Sequence, residues 1–163
     1  LIKTAQKVGY DMEVLQAVES VNEKQKSILF NKLMKHFNGD IKGKTIAIWG
    51  LAFKPETDDM REAPALVLID KIISVGASVK VYDPIAMPEC KRRIGDKVVY
   101  CKDMYEAVVN VDTLLLVTEW KEFRMPNLEV LNKTMKNKVI IDGRNIYDAK
   151  EMVESGFDYY KIG

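Results

Sequence analysis

The sequence contains few of the residues that reactive centres are commonly built from, and it contains no long apolar run. Its 163 residues include one histidine, His36, and two cysteines, Cys90 and Cys101, which lack the paired spacing of a metal site. No apolar stretch approaches the roughly 20 residues that a membrane span requires. Lys plus Arg total 25 against 24 for Asp plus Glu, so there is no general charge attraction for nucleic acid or an anionic membrane. We therefore predict no metal site, no nucleic-acid or membrane partner, and two reduced thiols in a cytoplasmic protein.

The glycines of a dinucleotide-binding loop are also missing. Gly50 follows the first apolar run, but Ala52 comes next, and a long charged loop occupies the place of the third glycine. Three glycines are needed there so that the chain can turn tightly, approach a pyrophosphate and let the following helix pack closely. We therefore predict that this loop does not form a dinucleotide cradle of the standard kind.

Short apolar runs alternate with helical segments through most of the chain. Runs such as Leu114–Val117 are apolar without interruption, as strands covered by helices on both faces must be. Six strands joined by helical crossovers predict a doubly wound, Rossmann-like parallel sheet in the order 3-2-1-4-5-6. The predicted strands are 45–49, 78–82, 97–100, 113–118, 138–142 and 158–161. The predicted helices between them are 64–75, 87–94, 105–110, 127–134 and 149–155.

A long helix is predicted ahead of this unit. Residues 1–8 are typical of a helix tail that Gly9 ends, and Asp11 can cap a second helix running from Met12 to about Phe37. About 25 helical residues would be roughly 37 Å long, more than one small domain needs. The helix either packs on the following domain or, as we favour, spans two domains or builds a subunit interface. We therefore divide the chain into a connecting segment, 1–40, and a domain, 41–163. The opening without an initiating Met predicts that the chain belongs to a longer protein.

Cations follow several predicted strands. Lys54 and Arg61 lie in the loop after the first strand, and Arg144 follows the fifth. The carboxyl ends of parallel strands meet at one edge of a sheet, so the three could converge on one anionic ligand, for which arginine is well suited. The alternative is that Lys54 and Arg61 pair with acids of their own loop. On these residues alone, the sequence predicts an anion-binding α/β domain.

Other polar groups at the strand ends and elsewhere have less specific interpretations. We interpret Asp83-Pro84 as a turn and Thr118-Glu119-Trp120 as a helix start or a pocket wall. His36 is interpreted as structural and Tyr159-Tyr160 as core.

Several motifs resemble one known family. Gly50-Leu51-Ala52-Phe53-Lys54-Pro55, followed by Thr57-Asp58-Asp59-Met60-Arg61-Glu62, is similar to the C-terminal, UDP-binding domain of the UDP-glucose/GDP-mannose dehydrogenases. Tyr82-Asp83-Pro84, Thr118-Glu119-Trp120 and Asp142-Gly143-Arg144-Asn145 match the same family in the same order. The resemblance covers essentially the whole chain. The forms Asp142-Gly143-Arg144-Asn145 and Asp-Asp-Met-Arg-Glu-Ala-Pro at 58–64 resemble members that oxidise UDP-glucose more than those acting on UDP-N-acetylmannosamine or GDP-mannose.

The resemblance implies an oxidoreductase of nucleotide-sugar metabolism that serves polysaccharide biosynthesis. Such an enzyme converts the sugar C6 alcohol to a carboxylate in two hydride transfers to NAD. The family's nucleophile is a Cys that forms a thiohemiacetal, and it would lie upstream of this chain. Neither Cys90 nor Cys101 has its flanking residues, so we expect no catalytic residue here and no activity from this chain alone.

The resemblance also implies site residues and partners. Phe53, Lys54 and Arg144 would bind the UDP-sugar substrate, and Arg61 would reach NAD held mainly by a missing N-terminal domain. The long helix would be the family's central helix and would build a homodimer. The alternatives left open are a related nucleotide-sugar dehydrogenase or a free-standing nucleotide-binding or oligomerisation domain.

Overall fold

The computed structural model describes residues 13–163, and a sheet of six parallel strands forms its centre. The strands are β1 Thr45–Trp49, β2 Ser78–Tyr82, β3 Val99–Tyr100, β4 Thr113–Leu116, β5 Val139–Asp142 and β6 Asp158–Lys161. Their spatial order is β3-β2-β1-β4-β5-β6, and every neighbouring pair is parallel. The predicted doubly wound sheet is therefore confirmed.

Helices connect the strands on both faces of the sheet. They are α1 Glu13–His36, α2 Pro64–Ser74, α3 Met87–Ile94, α4 Met104–Val108, α5 Leu128–Thr134 and α6 Ala149–Glu154, with a 3₁₀ turn at Lys121–Phe123. Pro64 occupies the first turn of α2, where its missing N–H leaves no hydrogen bond unmade. Every described strand and helix lies within two residues of its predicted bounds. The predicted helix tail 1–8, Gly9, Asp11 and the helix start at Met12 lie outside the described residues.

Alternation along the strands divides the core into two layers. Ile46 and Ile48 of β1 face a cluster shared with α1, α2 and α3, and Ala47 and Trp49 face a second cluster shared with α4, α5 and α6. Successive side chains of a strand point to opposite faces, so both faces of β1 must be apolar. The uninterrupted apolar runs in the sequence have this cause.

The long helix α1 packs on the domain through its C-terminal half only. Leu29 and Leu33 are buried in the core, and the Lys71 ammonium donates to the Ser27 hydroxyl at 2.5 Å. Val14 and Val18, nearer the start of α1, are 76% and 50% exposed. At 1.5 Å per residue the 24 residues of α1 are about 36 Å long, so several turns extend beyond the packed part.

The C-terminal end of α1 reaches the edge strand β6. The Nδ1 atom of His36 lies 2.8 Å from the Tyr160 hydroxyl oxygen, and the two rings make an edge contact. His36 therefore has the structural role that was predicted. The assignment of Tyr160 to the core is wrong, because an edge strand has little to cover its side chains and Tyr160 is 37% exposed. Among residues 13–163, no helix is both long enough and apolar enough to cross a membrane.

Gly50 lies where β1 passes closest to the loop after β4. Its φ is +89°, in the region that favours glycine. A Cβ added there would lie 2.5 Å from the Thr118 Cβ and 2.6 Å from the Thr118 backbone nitrogen. Glycine is therefore required at position 50 for two reasons: a side chain would clash with Thr118, and the positive φ favours glycine.

We predict that Gly50→Ala destabilises the fold by about 2–5 kcal/mol, the sum of left-handed strain and overpacking against backbone. Gly39→Ala is the matched control, because Gly39 has a φ of +85° but nothing within 4 Å of the added Cβ. The control should cost only about 1–2 kcal/mol. Urea unfolding of the two variants measures the difference, and equal losses would contradict a steric role for Thr118.

Candidate functional site

One buried carboxylate joins three strand ends at the carboxyl edge of the sheet. Asp83, directly after β2, is 2% exposed and accepts five hydrogen bonds. Its Oδ2 accepts from the Leu51 and Ala52 amides after β1, at 2.7 and 3.2 Å, and from the Trp120 indole after β4, at 3.1 Å. Its Oδ1 accepts from the Ile85 and Ala86 amides, at 2.9 and 2.7 Å. The two bonds to Oδ1 form the predicted turn. The three bonds to Oδ2 were not predicted from the sequence.

A second contact ties the loop after β4 to the loop after β1. The Thr118 hydroxyl donates to the Ala52 carbonyl at 2.6 Å. Thr118 and Trp120 are therefore both anchored, and Glu119 lies between them. The interpretation of this segment as a pocket wall or helix start is partly correct, because Trp120 precedes the 3₁₀ turn.

The loop after β1 is closed by its own backbone and presents Arg61 at its far end. The Phe53 amide donates to the Asp59 carbonyl at 2.8 Å, and the Thr57 hydroxyl accepts from the Asp59 amide at 3.0 Å. The Arg61 Nε and Nη2 then donate to the two Asp59 carboxylate oxygens at 3.0 and 2.9 Å. These hydrogen bonds from Arg61 lower the pKa of Asp59 to about 2. The local ion pair considered for Arg61 is thus present, although Arg61 stays exposed.

The loop after β5 is organised by Asp142 in a similar way. Asp142 is fully buried, and its Oδ1 accepts from the Arg144 amide at 2.8 Å. Its Oδ2 accepts from the Ile146 amide and the Tyr159 hydroxyl, both at 2.8 Å. The backbone that carries Arg144 is therefore fixed to the end of its strand.

Gly143 brings this loop against α1. A Cβ added at Gly143 would lie 2.6 Å from the Leu116 carbonyl oxygen and 2.9 Å from the Leu29 Cδ1. Only glycine allows β4, the β5 loop and the helix to approach so closely.

The Arg144 side chain forms a second bidentate ion pair. Its Nη2 donates to Glu119 Oε1 at 2.7 Å, and its Nε contacts Glu119 Oε2. Burial alone would raise the pKa of Glu119, but the hydrogen bond and charge of Arg144 outweigh burial and lower it. Glu119 is consequently ionised when the pair is formed.

These loops and α1 enclose one crevice of about 960 Å³. Phe53, Arg61 and Arg144 all line it, facing the projecting half of α1. Among residues 13–163, its charged lining consists of four carboxylates and three cations: Glu19, Glu23, Asp59 and Glu62, and Lys26, Arg61 and Arg144. Because the wall is not positive overall, an anion would have to be held by specific hydrogen bonds rather than by a general field.

Lys54 does not join the two arginines in this lining. Its ammonium lies 5.7 Å from the centre of the Phe53 ring, and the side chain is exposed. Among residues 13–163 it has no carboxylate partner. Of the four predicted binding residues, the structure therefore brings Phe53, Arg61 and Arg144 together and leaves Lys54 beside them, unpaired.

The described residues offer no metal site and no activated thiol. No group of three or more His, Cys, Asp or Glu side chains among residues 13–163 could hold a metal ion. Cys90 and Cys101 are buried and unpaired, and burial raises the pKa of both thiols. A nucleophilic thiol needs a lowered pKa. Neither cysteine is suited to covalent catalysis.

Sequence reasoning missed two carboxylates, Asp83 as a junction and Glu119 as the partner of Arg144. The position of Asp83 held a usable signal, because the acid that ends the second strand of a Rossmann fold faces the first loop. The signal for Glu119 was weaker: it directly follows the predicted strand 113–118, at the same edge of the sheet as Arg144.

The chain belongs to the UDP-glucose/GDP-mannose dehydrogenase family. Residues 47–149 match the model of the family's UDP binding domain, which confirms the resemblance found in the motifs. These residues include most of β1, the loops that carry Phe53, Arg61 and Arg144, and the Asp83 junction.

Particular relatives refine this assignment. The full chain is 43% identical to the UDP-glucose 6-dehydrogenase of Pseudomonas aeruginosa and 42% identical to UDP-glucose 6-dehydrogenase TuaD of Bacillus subtilis. It covers 37% and 35% of their lengths. The structure of a UDP-glucose dehydrogenase from the archaeon Pyrobaculum islandicum is similar with a TM-score of 0.83 at 28% identity, over 99% of this chain and 34% of that one. The chain thus spans little more than a third of these relatives.

We predict that Asp83→Asn destabilises the protein by about 3 kcal/mol, because an amide group replaces one acceptor oxygen and faces backbone donors. Asp103→Asn is the control, since Asp103 is the N-cap of α4 and Asn caps helices as well as Asp. The control should stay within about 0.5 kcal/mol of the unmodified protein. Urea unfolding measures both changes, and an equally mild effect at Asp83 would refute its role as a junction.

Proposed function

We propose that this chain is the UDP-sugar-binding part of an NAD-dependent UDP-glucose 6-dehydrogenase. The observation that carries the proposal is the crevice in which Arg61 and Arg144 lie together at the carboxyl edge of the sheet. Ligands of open α/β sheets bind at this edge, and arginine suits the phosphate oxygens of a nucleotide. The family match and the named relatives support UDP-glucose as the substrate.

The two arginines would serve different ligands. Arg144 would hold the diphosphate or the carboxylate formed at C6, with Phe53 beside it as an exposed apolar surface. Lys54 would add a cation that has no carboxylate partner among the described residues. Arg61, at the outer end of the loop after β1, would reach NAD bound mainly by a separate N-terminal domain. The coverage of the relatives, near 36%, supports the existence of such a domain.

The proposed reaction converts the C6 alcohol of the sugar to a carboxylate, with water consumed and two NAD reduced. The nucleophilic Cys of the family would come from the rest of the protein, because Cys90 and Cys101 are buried thiols of raised pKa. This chain would supply substrate binding and orientation. The product would be a precursor for polysaccharide biosynthesis, and two unpaired thiols fit the reducing cytoplasm.

The projecting half of α1 supports the proposed division into residues 1–40 and 41–163 and a homodimer. Val14, Val18 and Val21 are all at least half exposed, at spacings of four and three that place them on one face of the helix. An exposed apolar stripe of this kind is suited to a second copy of the same helix.

The first test is turnover by the full-length gene product. Incubated with UDP-glucose and NAD, it should reduce two NAD per UDP-glucose consumed, followed by NADH absorbance. The 163-residue chain under the same conditions should give no signal, because it would lack the nucleophile. No turnover by the full-length protein, or turnover by the chain alone, would contradict the proposal.

The second test is substitution of the proposed substrate cations. Lys54→Ala and Arg144→Ala in the full-length protein should each lower kcat/KM for UDP-glucose by about ten- to a hundredfold, since a charge-assisted hydrogen bond contributes ~1.5–3 kcal/mol. Lys150→Ala, which removes an exposed cation of α6, is the matched control. Values within twofold of the unmodified enzyme would remove Lys54 or Arg144 from the site.

A further inference from the structure

The contact between Glu119 and Arg144 uses only one edge of the guanidinium. Nε and Nη2 face the two carboxylate oxygens. A guanidinium carries five N–H groups in a planar fork, so three remain, on Nη1 and on the outer side of Nη2. Within residues 13–163, these three make no hydrogen bond. A second bidentate acceptor can therefore bind at the end of the side chain while Glu119 holds its side.

Both members of the pair stand on anchored backbone. Glu119 is flanked by Thr118, bonded to the Ala52 carbonyl, and Trp120, bonded to Asp83. Arg144 follows Gly143 and donates its own amide to Asp142. Arg144 lines the crevice and Glu119 is not among its lining residues, so the carboxylate holds the edge of the guanidinium from outside the crevice.

The Arg61–Asp59 pair repeats the arrangement in the same crevice. There too the carboxylate takes Nε and Nη2, and the other N–H groups of the guanidinium make no hydrogen bond to residues 13–163. This pair lies within one exposed loop, whereas Glu119 and Arg144 come from the ends of different strands and are less exposed. The Glu119–Arg144 pair is therefore the better-defined of the two ion pairs.

We infer that Glu119 is a positioning residue: it fixes the Arg144 guanidinium by one edge so that the other presents two parallel N–H donors to the diphosphate of the UDP-sugar. This inference rests on the proposed function and adds a residue to it. Glu119 touches Arg144 and not the ligand. A flexible arginine would have to lose several rotamers on binding, and an arginine already held in place avoids that cost.

The opposite role makes the opposite prediction. If Glu119 were a competing anion that the ligand had to displace, removing its charge would tighten UDP binding. If Glu119 served only to fold its loop, removing its charge would weaken binding whatever side chain stood at 144. Lysine at 144 separates these cases, because an ammonium is a point charge without a planar fork to orient.

The test is a double-mutant cycle in the full-length protein, with UDP as the probe and calorimetry as the readout. Glu119→Gln should weaken UDP binding by about tenfold, the effect of one charge-assisted hydrogen bond. In an Arg144→Lys background the same substitution should change the UDP Kd by less than about twofold. KM for NAD should not respond to Glu119→Gln, and Glu129→Gln, which removes an exposed charge from α5, is the matched control.

Each other outcome overturns the inference. Unchanged or tighter UDP binding by Glu119→Gln removes the positioning role, as does an equal loss in the Arg144→Lys background. If the unmodified protein does not bind UDP, both the proposed function and this inference are wrong. If the unmodified protein binds UDP but Glu119→Gln does not weaken binding, only this inference is wrong. Should Glu119→Gln not fold, a crystal structure of the unmodified protein with UDP decides: the pair stays intact if Glu119 positions Arg144, and a separated pair refutes it.

Discussion

The carboxylate of Asp83 is the interaction on which the crevice depends. It is buried and accepts from the loop after β1, from its own turn after β2 and from Trp120 after β4. A buried carboxylate is tolerated only with such a set of donors. Because the donors come from three strand ends, the bonds hold three loops in one arrangement. Phe53 directly follows Ala52, whose amide donates to Asp83. Glu119 directly precedes Trp120, whose indole donates to the same carboxylate.

The fold could be predicted from the sequence because its signals are local. A strand such as Thr45–Trp49 lies between two helical layers, so its side chains from Ile46 to Trp49 are apolar, and this run appears in the sequence without interruption. Helical crossovers then leave only right-handed connections to consider, which limits the strand order. Small errors occur at the ends of elements, for example at β3, where pairing covers only Val99–Tyr100.

The candidate site could be predicted only in part, because its contacts join residues distant in sequence. Arg144 was found from its place after a strand, but its partner Glu119 lies 25 residues away. Asp83 bonds to Leu51 across 32 residues and to Trp120 across 37. A single sequence carries residue types and spacings but no pair distances. The resemblance supplied the predicted binding residues, and the carboxylates that pair with the two arginines came only with the structure.

The close packing at Gly143 has a mechanical consequence. With no space for a Cβ between the Leu116 carbonyl and Leu29, α1 is seated directly on the loop that carries Arg144. The helix cannot slide along the domain without displacing that loop, so the position of α1 and the position of Arg144 are set by the same contact.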